Sequence, residues 1–202
     1  LTIDEQVRFG EIPAPPFQGG PRAEALRRAC QDAGLQNVRI DRVGNVLGDR
    51  PGLAPRPRLV VAAHLDTVFP EGTNVRVVRQ GTTLRGPGIG DNCRGLSVLV
   101  AVARALRQGL VETTGSITFV ANVGEEGLGD LRGVKALVGE TMKDQIDRFV
   151  SIDGPGLFVT QVAIGSRRYR VTFTGPGGHS FASFGQPNPA NALGRAVARI
   201  AD

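Results

Sequence analysis

The chain has 202 residues, 41% of them hydrophobic and 21% charged, and its 28 glycines follow no fixed period. That composition excludes a disordered or collagen-like chain and allows one good-sized core, or one domain and part of a second. The formal charge of +5 is carried with one Tyr and no Trp, so no basic–aromatic stripe offers itself to nucleic acid, and no run approaches the ~18 apolar residues of a membrane span.

In chain order, 21–35 reads as a helix. Pro21 sits in its first turn, Ala25, Leu26, Ala29 and Cys30 share a face, and Gly34 ends it. Residues 38–40 and 46–47 read as a hairpin through Gly44-Asn45. The apolar run at 58–63 suits a strand buried on both faces. A second hairpin is expected around Gly81, from 75–78 and 83–84. An apolar helix follows at 96–106, closed by Gly109, then a buried strand at 116–123, a short helix at 131–138 and a strand at 149–152. After Gly154-Pro155-Gly156 the pattern changes. Residues 157–164 and 168–174 alternate as half-wet strands do, a Gly-rich turn leads to His179, and 189–202 reads as a helix with Asn191 as its starting residue. Alternating strands and helices argue for a layered α/β domain, with a boundary near Gly165.

The polar residues that end the expected buried strands carry the chemical information. They are His64-Leu65-Asp66, Gly90-Asp91-Asn92 after the second hairpin, Gly124-Glu125-Glu126-Gly127, and Asp153-Gly154. In open α/β sheets, ligands gather outside the carboxyl ends of strands. Taken singly, each has an ordinary reading: a structural His, a solvated Glu pair, an Asx turn. Gly86-Pro87-Gly88-Ile89-Gly90 lacks the spacing and the Lys of a phosphate cradle. Taken together, one imidazole and several carboxylates at one sheet edge form a concentrated negative site. Like charges ~4 Å apart repel by ~4 kcal/mol at an effective dielectric of 20, and divalent cations remove that cost. A His with carboxylates suits Zn, Co or Mn better than Mg or Ca. Two residues apart on an extended segment, Asp66 is placed to hold the imidazole N–H that a metal leaves unused. Of Glu125 and Glu126, which point apart, one can bind metal while the other reaches an attacking water.

These motifs, in this order and joined by Gly44-Asn45-Val46 near the start and Gly177-Gly178-His179-Ser180 near the end, resemble the M20 metallopeptidase family. That family includes the bacterial tripeptidase, carboxypeptidase G, aminoacylase, acetylornithine deacetylase and succinyl-diaminopimelate desuccinylase. The resemblance runs from about Phe9 to the end. It implies a zinc-exopeptidase-like α/β fold, a central largely parallel sheet with helices on both faces, over 1–164. Residues 165–202 would be the beginning of a small α+β lid or dimerisation domain.

The resemblance also implies a dinuclear site, most naturally zinc. His64 and Asp153 would bind one ion, Asp91 would bridge both, with its peptide bond to Asn92 expected to be cis, and Glu126 would bind the second. Glu125 would be the general base, Asp66 would support catalysis, and His179 would reach a neighbouring subunit's site to help hold the oxyanion. The expected substrate is a small peptide or an N-acyl amino acid, and the expected assembly a homodimer. A catalytically incomplete fragment that mainly folds and dimerises is the third reading. Relatives often carry Met and Lys where this chain has Cys93 and Arg94. They close the second metal site with a further His, whereas His64 and His179 are the two histidines here. Both ends look cut, so the expectation is a piece of a longer protein. Two lone cysteines suit a reducing, cytoplasmic setting, with a lost leader left open.

Overall fold

The run Leu-Val-Val-Ala-Ala-His at Leu59–His64 (β3) forms the middle of a five-stranded sheet. The computed structural model describes residues 2–165 and 167–201. It divides into two compact units, Leu1–Leu157 and Phe158–Asp202.

In the first unit, helices Thr2–Gly10 (α1) and Gly20–Asp32 (α2) precede a hairpin, Gln36–Ile40 (β1) and Val46–Arg50 (β2). After β3 come a small two-stranded hairpin, Val78–Gln80 (β4) and Thr83–Arg85 (β5), and the long helix Cys93–Gln108 (α3). Ile117–Asn122 (β6), the short helix Arg132–Ala136 (α4) with a π-turn at Leu137–Thr141, and Arg148–Ser151 (β7) complete it. The sheet order is β1-β2-β6-β3-β7. β3 runs parallel to both β6 and β7, with Ala63 opposite Ala121 and Val61 opposite Val150. β2 is antiparallel to β1 and β6, so it alone is reversed and the sheet is largely parallel, as expected.

Burial on both faces explains the continuous apolar runs. All six residues of β6 are buried. One face presents Val46, Ala63, Phe119 and Ala121 to Phe9, Leu26, Leu96, Leu99 and Val100 of the three long helices. The opposite face presents Leu47, Val60, Ala62 and Val120 to Leu137 and Met142. Each large apolar side chain so buried contributes about 1.5–3 kcal/mol relative to exposure. Helix α1 has no counterpart among the elements expected from the sequence. Its buried side chains are Glu5 and Phe9, and Glu5 accepts two 2.6 Å hydrogen bonds from the Arg104 guanidinium on α3.

Among its described residues the second unit holds one helix, Pro189–Ala201 (α5), none of whose residues is buried. Its start differs from expectation: the Asn188 side chain, rather than Asn191, accepts the N–H of Ala190 at 2.8 Å. The strands expected at 157–164 and 168–174 are absent among the described residues. An alternating apolar pattern becomes a strand only when a neighbouring strand satisfies its main-chain N–H and C=O groups. Here Val159, Val162 and Val171 are exposed instead.

Candidate metal centre

Three parallel strands end at the same edge, and polar residues at or just beyond those ends converge there. His64 closes β3, Glu125 and Glu126 follow β6, and Asp153 follows β7. Asp91 arrives from the segment just before α3. His64 is 2% exposed. Its Nε2 lies 2.8 Å from Asp91 Oδ1, 3.8 Å from Asp153 Oδ2 and 4.0 Å from Glu125 Oε2. Two overlapping groups result, His64–Asp91–Glu126 and His64–Glu125–Asp153, each with its donor atoms within 4.8 Å of one another.

The support beneath these side chains differs from expectation at Asp66. The imidazole Nδ1 lies 3.0 Å from the main-chain carbonyl oxygen of Asp66, whereas the Asp66 carboxylate is 3.9 Å away. That carboxylate is 3% exposed and accepts the main-chain N–H groups of Glu125 at 3.2 Å and Glu126 at 3.0 Å. A carboxylate has no donor of its own and so binds best where N–H groups are concentrated, as in the turn after Gly124. Asp66 thus orients the imidazole through its backbone and the Glu pair through its side chain.

Asn92 does comparable work for the other two acids. Its Oδ1 accepts the N–H of Gly95, capping α3, and its Nδ2 donates to the carbonyl of Ile152, one residue before Asp153. The Asp91–Asn92 peptide is cis. Gly95 is required here, because a Cβ would meet both Asn92 Oδ1 and the Ile152 carbonyl. Asn45, fully buried, bridges the edge from the other side: it donates to Asp41 and to the Gly133 carbonyl, and accepts the N–H of Val123.

The electrostatics follow from this crowding. Burial and the neighbouring acids Asp153, Asp66 and Asp91 push the Glu125 carboxyl above its ordinary range, against the pull of His64. Glu126 is raised in the same direction, by burial and then by Asp91 and Glu125. An inward-facing imidazole nitrogen ringed by carboxylate oxygens is the donor set of Zn, Co or Mn, so the residues present fit the expected ions. Cys93 is buried, and that burial pushes its thiol up, which disfavours the thiolate a nucleophile needs.

His64, Asp91, Glu125, Glu126 and Asp153 are therefore brought together, with Asp66 directly behind them. His179 belongs to the second unit, exposed in a turn where its Nδ1 accepts the N–H of Phe181 at 3.3 Å. Sequence reasoning gave no role to Arg22, which donates to the Leu65 carbonyl beneath the site. An arginine one residue after a helix-starting proline looks like a solvated charge.

Known proteins resemble this chain in sequence and in fold. A LysW-lysine/LysW-ornithine hydrolase assignment is carried by a Pyrococcus abyssi (strain GE5 / Orsay) protein that is 31% identical over 141 residues, 68% of this chain and 37% of that one. The N-carbamoyl-L-amino-acid amidohydrolase of Paenarthrobacter aurescens is 27% identical over 146 residues, 70% of this chain and 31% of the relative. The chain thus spans about a third of the length of these curated relatives. The crystal structure of aminopeptidase PepT from Bacillus cereus ATCC 10987 superposes with a TM-score of 0.64 at 20% identity, over 77% of this chain and 43% of that one. The model of peptidase family M20/M25/M40 matches residues 60–201, well over half the sequence, and the chain belongs to that family.

Proposed function

We propose that this chain carries most of a dinuclear site for hydrolysis of an amide bond in a small peptide. One observation carries the reading: a buried imidazole and four carboxylates close on one point at the carboxyl edge of the sheet. His64 and Asp153 would hold one ion, Glu126 the second, and Asp91 would reach both. Bound divalent cations of this kind polarise a carbonyl and lower the pKa of water towards ~7.

The protein's own part is proton handling and positioning. Glu125, its carboxyl raised by burial and by the acids around it, sits closer to neutral pH than a free carboxylate and suits general-base work. It withdraws a proton from the attacking water and returns it to the departing amine nitrogen. Asp66 fixes the Glu125–Glu126 turn, and Asn92 fixes Asp91 relative to Asp153. His179, placed by a lid at 165–202 against a neighbouring subunit's site, donates to the oxyanion in a homodimer. The buried thiols of Cys30 and Cys93 fit work in the reducing cytoplasm.

The test is hydrolysis by the full chain, with zinc, cobalt or manganese, of tripeptides set beside N-acyl and N-carbamoyl amino acids. Glu125→Gln retains metal and lowers kcat by about 10²–10⁴. Near-normal turnover in that variant removes Glu125 from its role, and undiminished hydrolysis after chelation removes the ions. The second reading, an N-acyl- or N-carbamoyl-amino-acid amidohydrolase on the same scaffold, is favoured by the 27% identity to an amidohydrolase of that class. Preferential cleavage of those compounds over tripeptides selects it.

A further inference from the structure

An arginine leans over the turn that carries Glu125. Arg132, the first residue of α4, is half-buried. Its main chain is pinned to the sheet edge, because the N–H of the next residue, Gly133, donates to the Val123 carbonyl at 2.9 Å. Its side chain lies along Gly124, the residue before Glu125: a Cβ there would meet the arginine Cγ at 2.7 Å and Nε at 3.1 Å. The guanidinium is stacked over the ring of Phe17, 5.1 Å from the centroid. Phe17 is 60% exposed and belongs to the loop between α1 and α2. Thr67 ties that loop to the segment carrying His64 and Asp66, its N–H and hydroxyl both donating to the Ala14 carbonyl at 3.1 Å. Phe17 and Leu131, the residue before Arg132, hold φ of 66° and 53°, left-handed backbone that bulky side chains enter only under constraint from their surroundings.

The cation has no anionic partner in the fold. Among the described residues Arg132 pairs with no carboxylate, and the nearby Asp130 pairs with Lys135 at 2.7 Å. Nη1 donates to the Val43 carbonyl at 3.4 Å, while Nε and Nη2, the two donors of one fork edge, meet no acceptor among those residues. A guanidinium held flat against an aromatic ring keeps its in-plane N–H groups for a planar anion, and two parallel N–H bonds match a carboxylate.

We propose that Arg132, backed by Phe17, binds a carboxylate of the substrate and so gives the site a preference for compounds that carry one. The inference rests on the amide-hydrolysis reading above and deepens it, by naming the substrate group that fixes which bond lies at Glu125. A residue serving only as a clip between the α1–α2 loop and the sheet edge would affect every ligand alike.

The experiment is equilibrium binding to the full chain in zinc, in a Glu125→Gln background that leaves the ligands uncleaved, with and without Arg132→Met. The ligands are trialanine and N-acetylalanine, each beside its carboxamide, and the α-amide of N-acetylglutamate, whose one carboxylate is on the side chain. With Arg132 in place the acids are expected to bind about 10–100-fold more tightly than the amides, as hydrogen bonds to a charged group allow. Arg132→Met removes most of that preference by weakening the acids alone. Arg132-dependent binding of the N-acetylglutamate amide assigns the fork to a side-chain carboxylate, and its absence assigns the fork to the α-carboxylate. Arg132→Lys, which keeps the charge but not the fork, retains part of the preference and serves if Arg132→Met does not fold. Acids that bind no better than amides, equal losses for both in Arg132→Met, or an undiminished preference in Arg132→Lys overturn the proposal. Should the chain with Glu125 intact bind no zinc and hydrolyse none of these compounds, the amide-hydrolysis reading fails on that readout, and acid-against-amide binding still decides the role of Arg132.

Discussion

Asp66→Asn isolates the support beneath the Glu125–Glu126 turn. The carboxylate accepts two main-chain N–H groups from a position that water hardly reaches. Asparagine keeps one acceptor oxygen and turns an NH₂ towards the other N–H. One charge-assisted hydrogen bond becomes a neutral one, and one buried N–H loses its partner. At about 1 kcal/mol for the first change and about 1–3 kcal/mol for the second, the cost is about 3 kcal/mol. For a chain of this size that lowers Tm by about 6–12 °C. The full loss is expected in excess zinc, where cations already neutralise the acids. In chelator the loss is smaller, because removing the Asp66 charge also relieves its repulsion of Glu125 and Glu126. Zinc affinity falls about 10–100-fold, as for other groups that orient metal ligands. Melts in zinc and in chelator, with a competition titration, measure all three. A Tm in zinc within a degree of wild type, together with an unchanged Kd, refutes the reasoning.

Three further outcomes are expected. Gly95→Ala forces a Cβ against Asn92 Oδ1 and the Ile152 carbonyl, so it loses about 2–3 kcal/mol of stability and weakens zinc binding; a denaturant titration showing an unshifted midpoint contradicts this. Arg104→Met leaves the Glu5 carboxylate, whose side chain is 8% exposed, without its partner, at a cost of about 2–4 kcal/mol, and Glu5→Leu with Arg104→Leu recovers most of it; the urea midpoints of wild type and these two variants decide. In chelator, Glu126 has a folded pKa above its unfolded one. The native state therefore binds more protons across that window, and wild-type stability relative to Glu126→Gln falls as pH rises through it. Wild-type stability that rises with pH relative to Glu126→Gln would contradict the raised carboxyl.

Much of this was legible in the chain because it depends on local pattern. The apolar runs at β3 and β6 announce strands buried on both faces, and Pro21 and Gly34 bracket α2 closely. The turn-forming Gly44-Asn45 lies in the β1–β2 connection. The strand ends named the site residues, since a polar residue after a buried run stands where the sheet edge opens. Helix α1 escaped for the opposite reason: its inward face includes Glu5, whose partner Arg104 is remote in sequence. The expected strands at 157–164 and 168–174 failed because alternation records a face, and pairing needs a second strand.

The residue types and their order determined the family, the largely parallel sheet and the acids that meet at its edge. Tertiary structure alone decided what holds those acids in place. Asp66 turns its carboxylate to the Glu pair and its carbonyl to the imidazole, Asn92 joins Asp91 to Ile152, and Arg22 lies buried against the Leu65 carbonyl. The physical reason is that hydrogen-bond direction and burial belong to a geometry built by segments far apart in sequence. A run of letters records which side chains exist and how they alternate, but not which main-chain group each one faces once the strands are side by side.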